Sequence, residues 1–156
     1  IINKLHELCL IHNISVSVAE SCTSGNIASA LSSISNSSRY FRGGVIAYQN
    51  FTKINILNVP KKLITKETEV SSQVVKQMAN DVLLQFQSDF SVATTGYAGP
   101  NGGNYKNPIG TVYIAIANKS QTNIKKMFFQ GDRQDVVNQA SESALRLLYD
   151  EIKKHT

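Results

Sequence analysis

Cysteine is scarce in this chain, two residues in 156, alongside three histidines, three prolines and no tryptophan. Two cysteines in a chain this long give no disulfide framework. Cys9 and Cys22 read as buried or weakly reactive thiols in a reducing cytosol, which places the protein in the cytoplasm. No Cys/His cluster has the spacing of a zinc site, so no metal is expected. No apolar run approaches the ~18 residues that span a bilayer. The opening residues, Ile1 to His6, lack the long apolar stretch of a signal peptide. The absence of an initial Met leaves room for an upstream residue or segment. No internal repeat or low-complexity linker divides the chain, and Ser32 to Ser38 is serine-rich but no longer than a connection. Residues 1–156 therefore read as one domain, and at 42% hydrophobic the chain can bury a real core.

The formal net charge of +5 invites a nucleic-acid reading. The lysines are scattered, however, from Lys61 and Lys62 through Lys106 to Lys153 and Lys154. No basic stripe with interleaved aromatics appears, and no nucleic-acid motif. The same positive surplus suits a phosphorylated small molecule.

Periodicity supplies the elements. Ile2, Leu5, Leu8 and Cys9 fall at helical spacing, and Val16 and Val18 mark a first strand. Ile27, Ala28 and Leu31 predict a second helix, and a strand around Val45 and Ala47 follows. Thr52 to Leu57 reads as a short helix bounded by Pro60. From Val70 to Phe86, apolar residues recur at three and four, the pattern of an amphipathic helix. Phe90 to Thr94 is a strand, and Thr111 to Ala117 is apolar on both faces like an interior strand. Ile124 to Phe129 pairs with it through a turn. Asp132 caps a last helix that buries Val136, Val137, Ala140, Ala144, Leu148 and Ile152. Helices alternating with strands, then a hairpin and a closing helix, predict a three-layer α/β/α sandwich with a mixed sheet.

Three segments carry chemistry-bearing residues. Ala19 to Gly25 (Ala-Glu-Ser-Cys-Thr-Ser-Gly) joins the first strand to the second helix and presents Ser21 and Thr23 beside backbone N–H groups. A helix N-terminus favours anions there, although an ordinary N-cap looks the same. Phe41 to Lys53 is a strand running into a polar turn that holds Tyr48, Asn50 and Lys53. Ala93 to Gly103 is a strand end opening into a loop with Gly96, Gly99, Gly102 and Gly103, followed by Asn107 to Tyr113. In sheets of this kind ligands bind at the carboxyl ends of strands, where all three segments fall. Taken singly, these residues also read as a surface lysine, a packed tyrosine and a long turn.

In this order and spacing, the segments from about Ile2 to Ile152 resemble the CinA C-terminal domain family, the nicotinamide-nucleotide amidases. The resemblance implies the same α/β/α architecture. It also implies hydrolysis of nicotinamide mononucleotide to nicotinic acid mononucleotide and ammonia, without a cofactor. That reaction needs a nucleophile, a base, an acid for the leaving ammonia and an oxyanion site. His6, His12 and His155 lie on the first helix or in the tail, where none suits a Ser-His-Asp arrangement. The family motif Tyr-x-Asn-x-x-Lys is matched by Tyr48, Asn50 and Lys53, which implies a Ser–Lys variant. Ser21 is then the nucleophile, Lys53 the general base, and Tyr48 a hydroxyl that relays or orients the proton. Lysine has a reference pKa near ~10.4, so Lys53 must be desolvated or set beside another cation.

The N–H groups from Cys22 to Gly25 form the expected oxyanion site. Thr23, Gly25, Asn50, Thr95, Gly96, Gly99, Gly102 and Gly103 are expected around the substrate. Gly131-Asp132-Arg133 matches the family's Gly-Asp-Arg, with Arg133 binding phosphate through its planar fork. The chain departs from the family pattern at Ser24, Phe51 and Tyr97, and at Val137 and Asn138, where arginines are common. A non-catalytic module that binds a nucleotide without turning it over is the alternative. The expected partner is a small nucleotide, with no membrane partner, and a homo-oligomer is left open.

Overall fold

In the computed structural model, which describes residues 1–156, the first ordering element is a small one. Asn13 takes a left-handed conformation that closes α1 (Ile2–His12), and the chain turns directly into β1 (Val16–Glu20). A tight turn leads to α2 (Asn26–Ser32), and the serine-rich connection includes one 3-10 turn at Ser37–Arg39. Then come β2 (Phe41–Ile46) and the short helices α3 (Asn50–Asn55) and α4 (Lys61–Glu67). The long α5 (Ser72–Phe86) crosses back to β3 (Phe90–Gly96), the hairpin β4 (Thr111–Asn118) and β5 (Thr122–Phe128) follows, and α6 (Arg133–Lys154) closes the chain.

The five strands form one sheet in the order β2-β1-β3-β4-β5. β1 pairs parallel with both β2 and β3, whereas β3–β4 and β4–β5 are antiparallel. The sheet is therefore mixed, as the closing hairpin implied. One face packs Val16, Val18, Val92, Ile114 and Ile116 against α1, α2 and α6. The other face carries Ala19, Ala93, Ala115 and Ala117, with Ser17 and Ser91 between them, beneath α5. Alternation along β1, β3 and β4 sends branched residues one way and mostly small residues the other, with Tyr113 the large exception. The small side lets α5 lie close enough for Ser91 Oγ to donate to the Ala79 carbonyl at 2.7 Å.

Caps set the boundaries that periodicity left loose. α5 begins at Ser72 rather than Val70 because Ser71 Oγ accepts from the Val74 N–H at 3.2 Å. α6 begins on a reciprocal pair, with Asp132 and Asp135 each accepting from the other's backbone N–H at 2.9 Å. All six residues expected on its inner face are buried. α4 was not expected. It follows Pro60 at its N-cap, and with only seven residues and no fully buried position it has no apolar stripe to betray it. No helix is long and apolar enough to cross a membrane.

Candidate active site

Connectivity chooses where the sheet can hold a ligand. From β1 the chain passes through α2 to β2 on one side, and through α3, α4 and α5 to β3 on the other. The strand order therefore diverges between β1 and β3, and the crevice at their carboxyl ends is where such sheets bind ligands. A cleft of about 560 Å³ opens there, lined by residues from the ends of β1, β2 and β3 and by the first residue of α6. A groove of about 740 Å³ runs between β4, β5 and α6, but its walls hold no serine, threonine or cysteine nucleophile.

The β-ladders continue one step past the strands and fix the positions of Ser21 and Ala47. The Ser21 N–H donates to the Thr94 carbonyl at 3.1 Å, and the Ala47 N–H donates to the Glu20 carbonyl at 2.8 Å. Ser21 and Ala47 therefore sit in neighbouring rows. Lys53, in the last turn of α3, reaches back across both. Its Nζ donates to Ser21 Oγ at 2.9 Å and to the Ala47 carbonyl at 2.9 Å. Only 1% of Lys53 is exposed, so it is a core residue rather than the surface lysine its sequence context allowed. Burial pulls its pKa down to about 8, against the opposing pull of the Glu69 carboxylate. Desolvation penalises the ammonium and leaves the neutral amine accessible near physiological pH. Cys22, next to the serine, has its thiol pushed up to about 12 by burial. A thiol held protonated is a poor nucleophile, and it is Ser21, not Cys22, that Lys53 bonds.

The anion at the start of α2 is the chain's own. Glu20 is fully buried, and its carboxylate accepts from the Ile27 and Ala28 N–H groups, each at 2.9 Å. It also accepts from Thr23 Oγ1 at 2.7 Å, and that hydroxyl lies 2.8 Å from Thr94 Oγ1. The expectation of a ligand-binding helix N-terminus is therefore corrected, because an internal carboxylate already fills it. Thr23 is corrected too: it is fully buried, joins Glu20 to Thr94, and does not line the cleft. Gly25 serves the turn, taking φ of 101° as the residue before α2, outside the cleft. Ser24 has φ of 42°, a left-handed conformation in which glycine fits more easily. The N–H groups of Cys22 and Thr23 make no hydrogen bond within the protein.

Of the remaining expected residues, Tyr48, Asn50, Thr95, Gly96, Gly99 and Arg133 line the cleft with Ser21 and Lys53. Gly102 and Gly103 do not. At Gly102 a Cβ would stand 3.0 Å from the Tyr97 ring, so the missing side chain makes room for that aromatic. Thr95 donates its hydroxyl to the Glu69 carbonyl at 2.7 Å and is fully buried at the floor of the cleft. Tyr48 is half exposed and accepts a hydrogen bond from Arg133, whose other nitrogen donates to the Gly99 carbonyl at 2.8 Å. The relay expected of Tyr48 is absent from this geometry, because its hydroxyl bonds to neither Ser21 nor Lys53. Glu20 and Glu69 were not singled out from the sequence. Glu20 adjoins the serine in the motif, whereas Glu69 sits in an irregular stretch with no signal.

A three-layer α/β/α domain with a serine and a buried lysine in hydrogen-bond contact at the strand ends is the class that the fold and site define. Comparison with known proteins narrows the class. The profile of the CinA C-terminal domain matches residues 1–152, and the chain belongs to that family. It is 41% identical over 142 residues to a CinA-like protein of Flavobacterium psychrophilum, covering 91% of this chain and 34% of the relative. A CinA-like protein of Endomicrobium trichonymphae is 44% identical over 133 residues, covering 85% and 31%. The chain thus spans about a third of the length of the curated relatives it matches. Among solved structures, the competence damage-inducible protein A (ComA) of Klebsiella pneumoniae superposes with a TM-score of 0.94 at 32% identity, covering 97% of this chain and 94% of that one. The competence or damage-inducible protein of Enterobacter asburiae gives 0.92 at 33%, covering 97% and 95%.

Proposed function

We propose that this domain is a cytoplasmic amidohydrolase that deamidates nicotinamide mononucleotide through a Ser21–Lys53 pair. The observation that carries the reading is the 2.9 Å contact between Lys53 Nζ and Ser21 Oγ, with the lysine buried and its pKa near 8. The substrate itself comes from the family resemblance. Neutral Lys53 takes the Ser21 proton as Oγ bonds to the carboxamide carbon. The Cys22 N–H group, free of an internal partner and on the cleft wall, is a donor for the resulting oxyanion. Collapse breaks the C–N bond, and the Lys53 ammonium returns its proton to the departing ammonia. A water, deprotonated by the same amine, hydrolyses the ester to the carboxylate and restores Ser21. Arg133 and the loop at Gly99 are the site's anion-binding end.

The test is ammonia release from nicotinamide mononucleotide by wild type and by Ser21→Ala. Because nucleophile and base act as a unit, the variant should lose several orders of magnitude in kcat. Ser21→Ala activity near wild type removes the serine mechanism. Nucleotide binding without ammonia release by the wild type would assign the domain to non-catalytic nucleotide binding.

A further inference from the structure

One charge on the cleft wall has no bonded partner. Glu69 lies between α4 and α5, half-buried, and its carboxylate makes neither a hydrogen bond nor an ion pair within the protein. Its backbone is nonetheless held firmly. Thr95 Oγ1 donates to the Glu69 carbonyl at 2.7 Å, Asn107 Nδ2 donates to the adjoining Val70 carbonyl at 3.1 Å, and the Tyr113 hydroxyl donates to Asn107 Oδ1 at 2.9 Å. Thr95 and Asn107 are buried, so this frame is part of the core. The Lys53 ammonium does not bond the carboxylate, since its hydrogen bonds go to Ser21 and Ala47.

An independent feature of the same cleft is its aromatic surface. Phe51 lines it while 66% exposed, and half-buried Tyr97 lines it beside the glycine loop. An aromatic face left open in a polar cleft offers stacking to a planar group. Its negative quadrupole favours a planar group that carries positive charge. The carboxylate and the ring faces therefore ask for the same ligand chemistry, while Arg133 asks for an anion.

We propose that Glu69, with Phe51 and Tyr97, selects a ligand whose carboxamide is borne on a positively charged, planar heteroaromatic ring. The cleft thus reads the charge of the ring as well as the anionic end of the nucleotide. This inference rests on the amidase reading for the identity of the ring. A ligand of the same shape with a neutral ring forfeits the attraction while keeping every contact to the carboxamide and the phosphate.

Nicotinamide mononucleotide and its 1,4-dihydro form provide that pair of probes, one ring cationic and the other neutral. Their Kd values are measured by calorimetry on Ser21→Ala protein, where turnover does not interfere. The cationic ring is expected to bind more tightly. Adding Glu69→Gln should weaken it about fivefold, as for a partly screened ion pair. The dihydro form should change by less than about twofold. Phe51→Leu should weaken the cationic form by about threefold. Glu69→Asp keeps the charge and should keep the direction of the preference. Equal losses for both nucleotides, no loss for the cationic one, or no preference in the parent protein would each overturn the proposal. Ammonia release by the wild type separates the two readings. Charge preference without ammonia keeps this inference and sinks the amidase, and ammonia without charge preference does the reverse.

Discussion

Lys53 is kept in the core against its own solvation, and the consequences run in two directions. As the base proposed above it works only when neutral, so turnover should rise with pH through about 8 and level off above it, as a pH–rate profile will show. Lys53→Arg keeps a cation that stays protonated, and should be nearly as inactive as Lys53→Ala. As a buried charge, the same residue weakens the fold. Its pKa is lowered on folding, so the unfolded chain binds the extra proton between about pH 8 and the ordinary lysine value of 10.5. Stability therefore rises with pH across that window, and the cost is fully present below it. Lys53→Met removes the cost. Measured by denaturant unfolding, its stability relative to wild type should be greater at pH 7 than above pH 10.5 by about 3 kcal/mol. A difference that does not change with pH would mean that the amine is not desolvated as its burial implies.

Among elements, the turn between β1 and α2 depends most on one side chain. The Glu20 carboxylate supplies from outside the helix what an N-cap residue normally supplies from its end, accepting from two N–H groups and from Thr23. Glu20→Gln keeps the shape but sets an amide NH2 against a donor. It should cost about 2–3 kcal/mol, since hydrogen bonds to a buried charge are being lost. That corresponds to a fall in Tm of about 4–12 °C in a domain of this size. A Tm within a degree of wild type would show that the carboxylate is not what fixes the turn. The sequence made most of these elements legible because their faces repeat. α5 and α6 run long enough for the period to show, and Val16 and Val18 alternate cleanly. α4 was hidden because Leu63 and Ile64 are only half covered, leaving no stripe, and helix boundaries depended on caps such as Ser71 rather than on apolar spacing.

At the scale of the whole molecule, the site joins parts of the chain that local patterning cannot bring together. The serine, the lysine and the glycine loop could be placed at strand ends from the sequence, and the resemblance supplied their roles. Their assembly depends on β1 lying between β2 and β3, which no local signal states. Glu69 illustrates what stayed illegible, because a lone acid in an irregular stretch gains meaning only from the walls around it. Arg133 ties the last helix to this assembly, bonding both Gly99 and Tyr48 from the far end of the sequence. Arg133→Ala should therefore raise KM for a mononucleotide about tenfold, with a smaller effect on the phosphate-free nucleoside. Equal effects on both would make the arginine a clasp between loops rather than a phosphate ligand.

The small-residue face of the sheet has a consequence for observing the molecule. Because Ser91 donates to Ala79 from below, that carbonyl accepts a second hydrogen bond while it serves the α5 ladder. Hydrogen-bonded groups polarise one another, and a doubly engaged C=O is softer than its singly engaged neighbours. Its stretching vibration is lowered only while the helix rests on the sheet. An isotope-edited carbonyl at Ala79 thus carries a spectroscopic signature of the two layers meeting, distinct from that of helix formation alone.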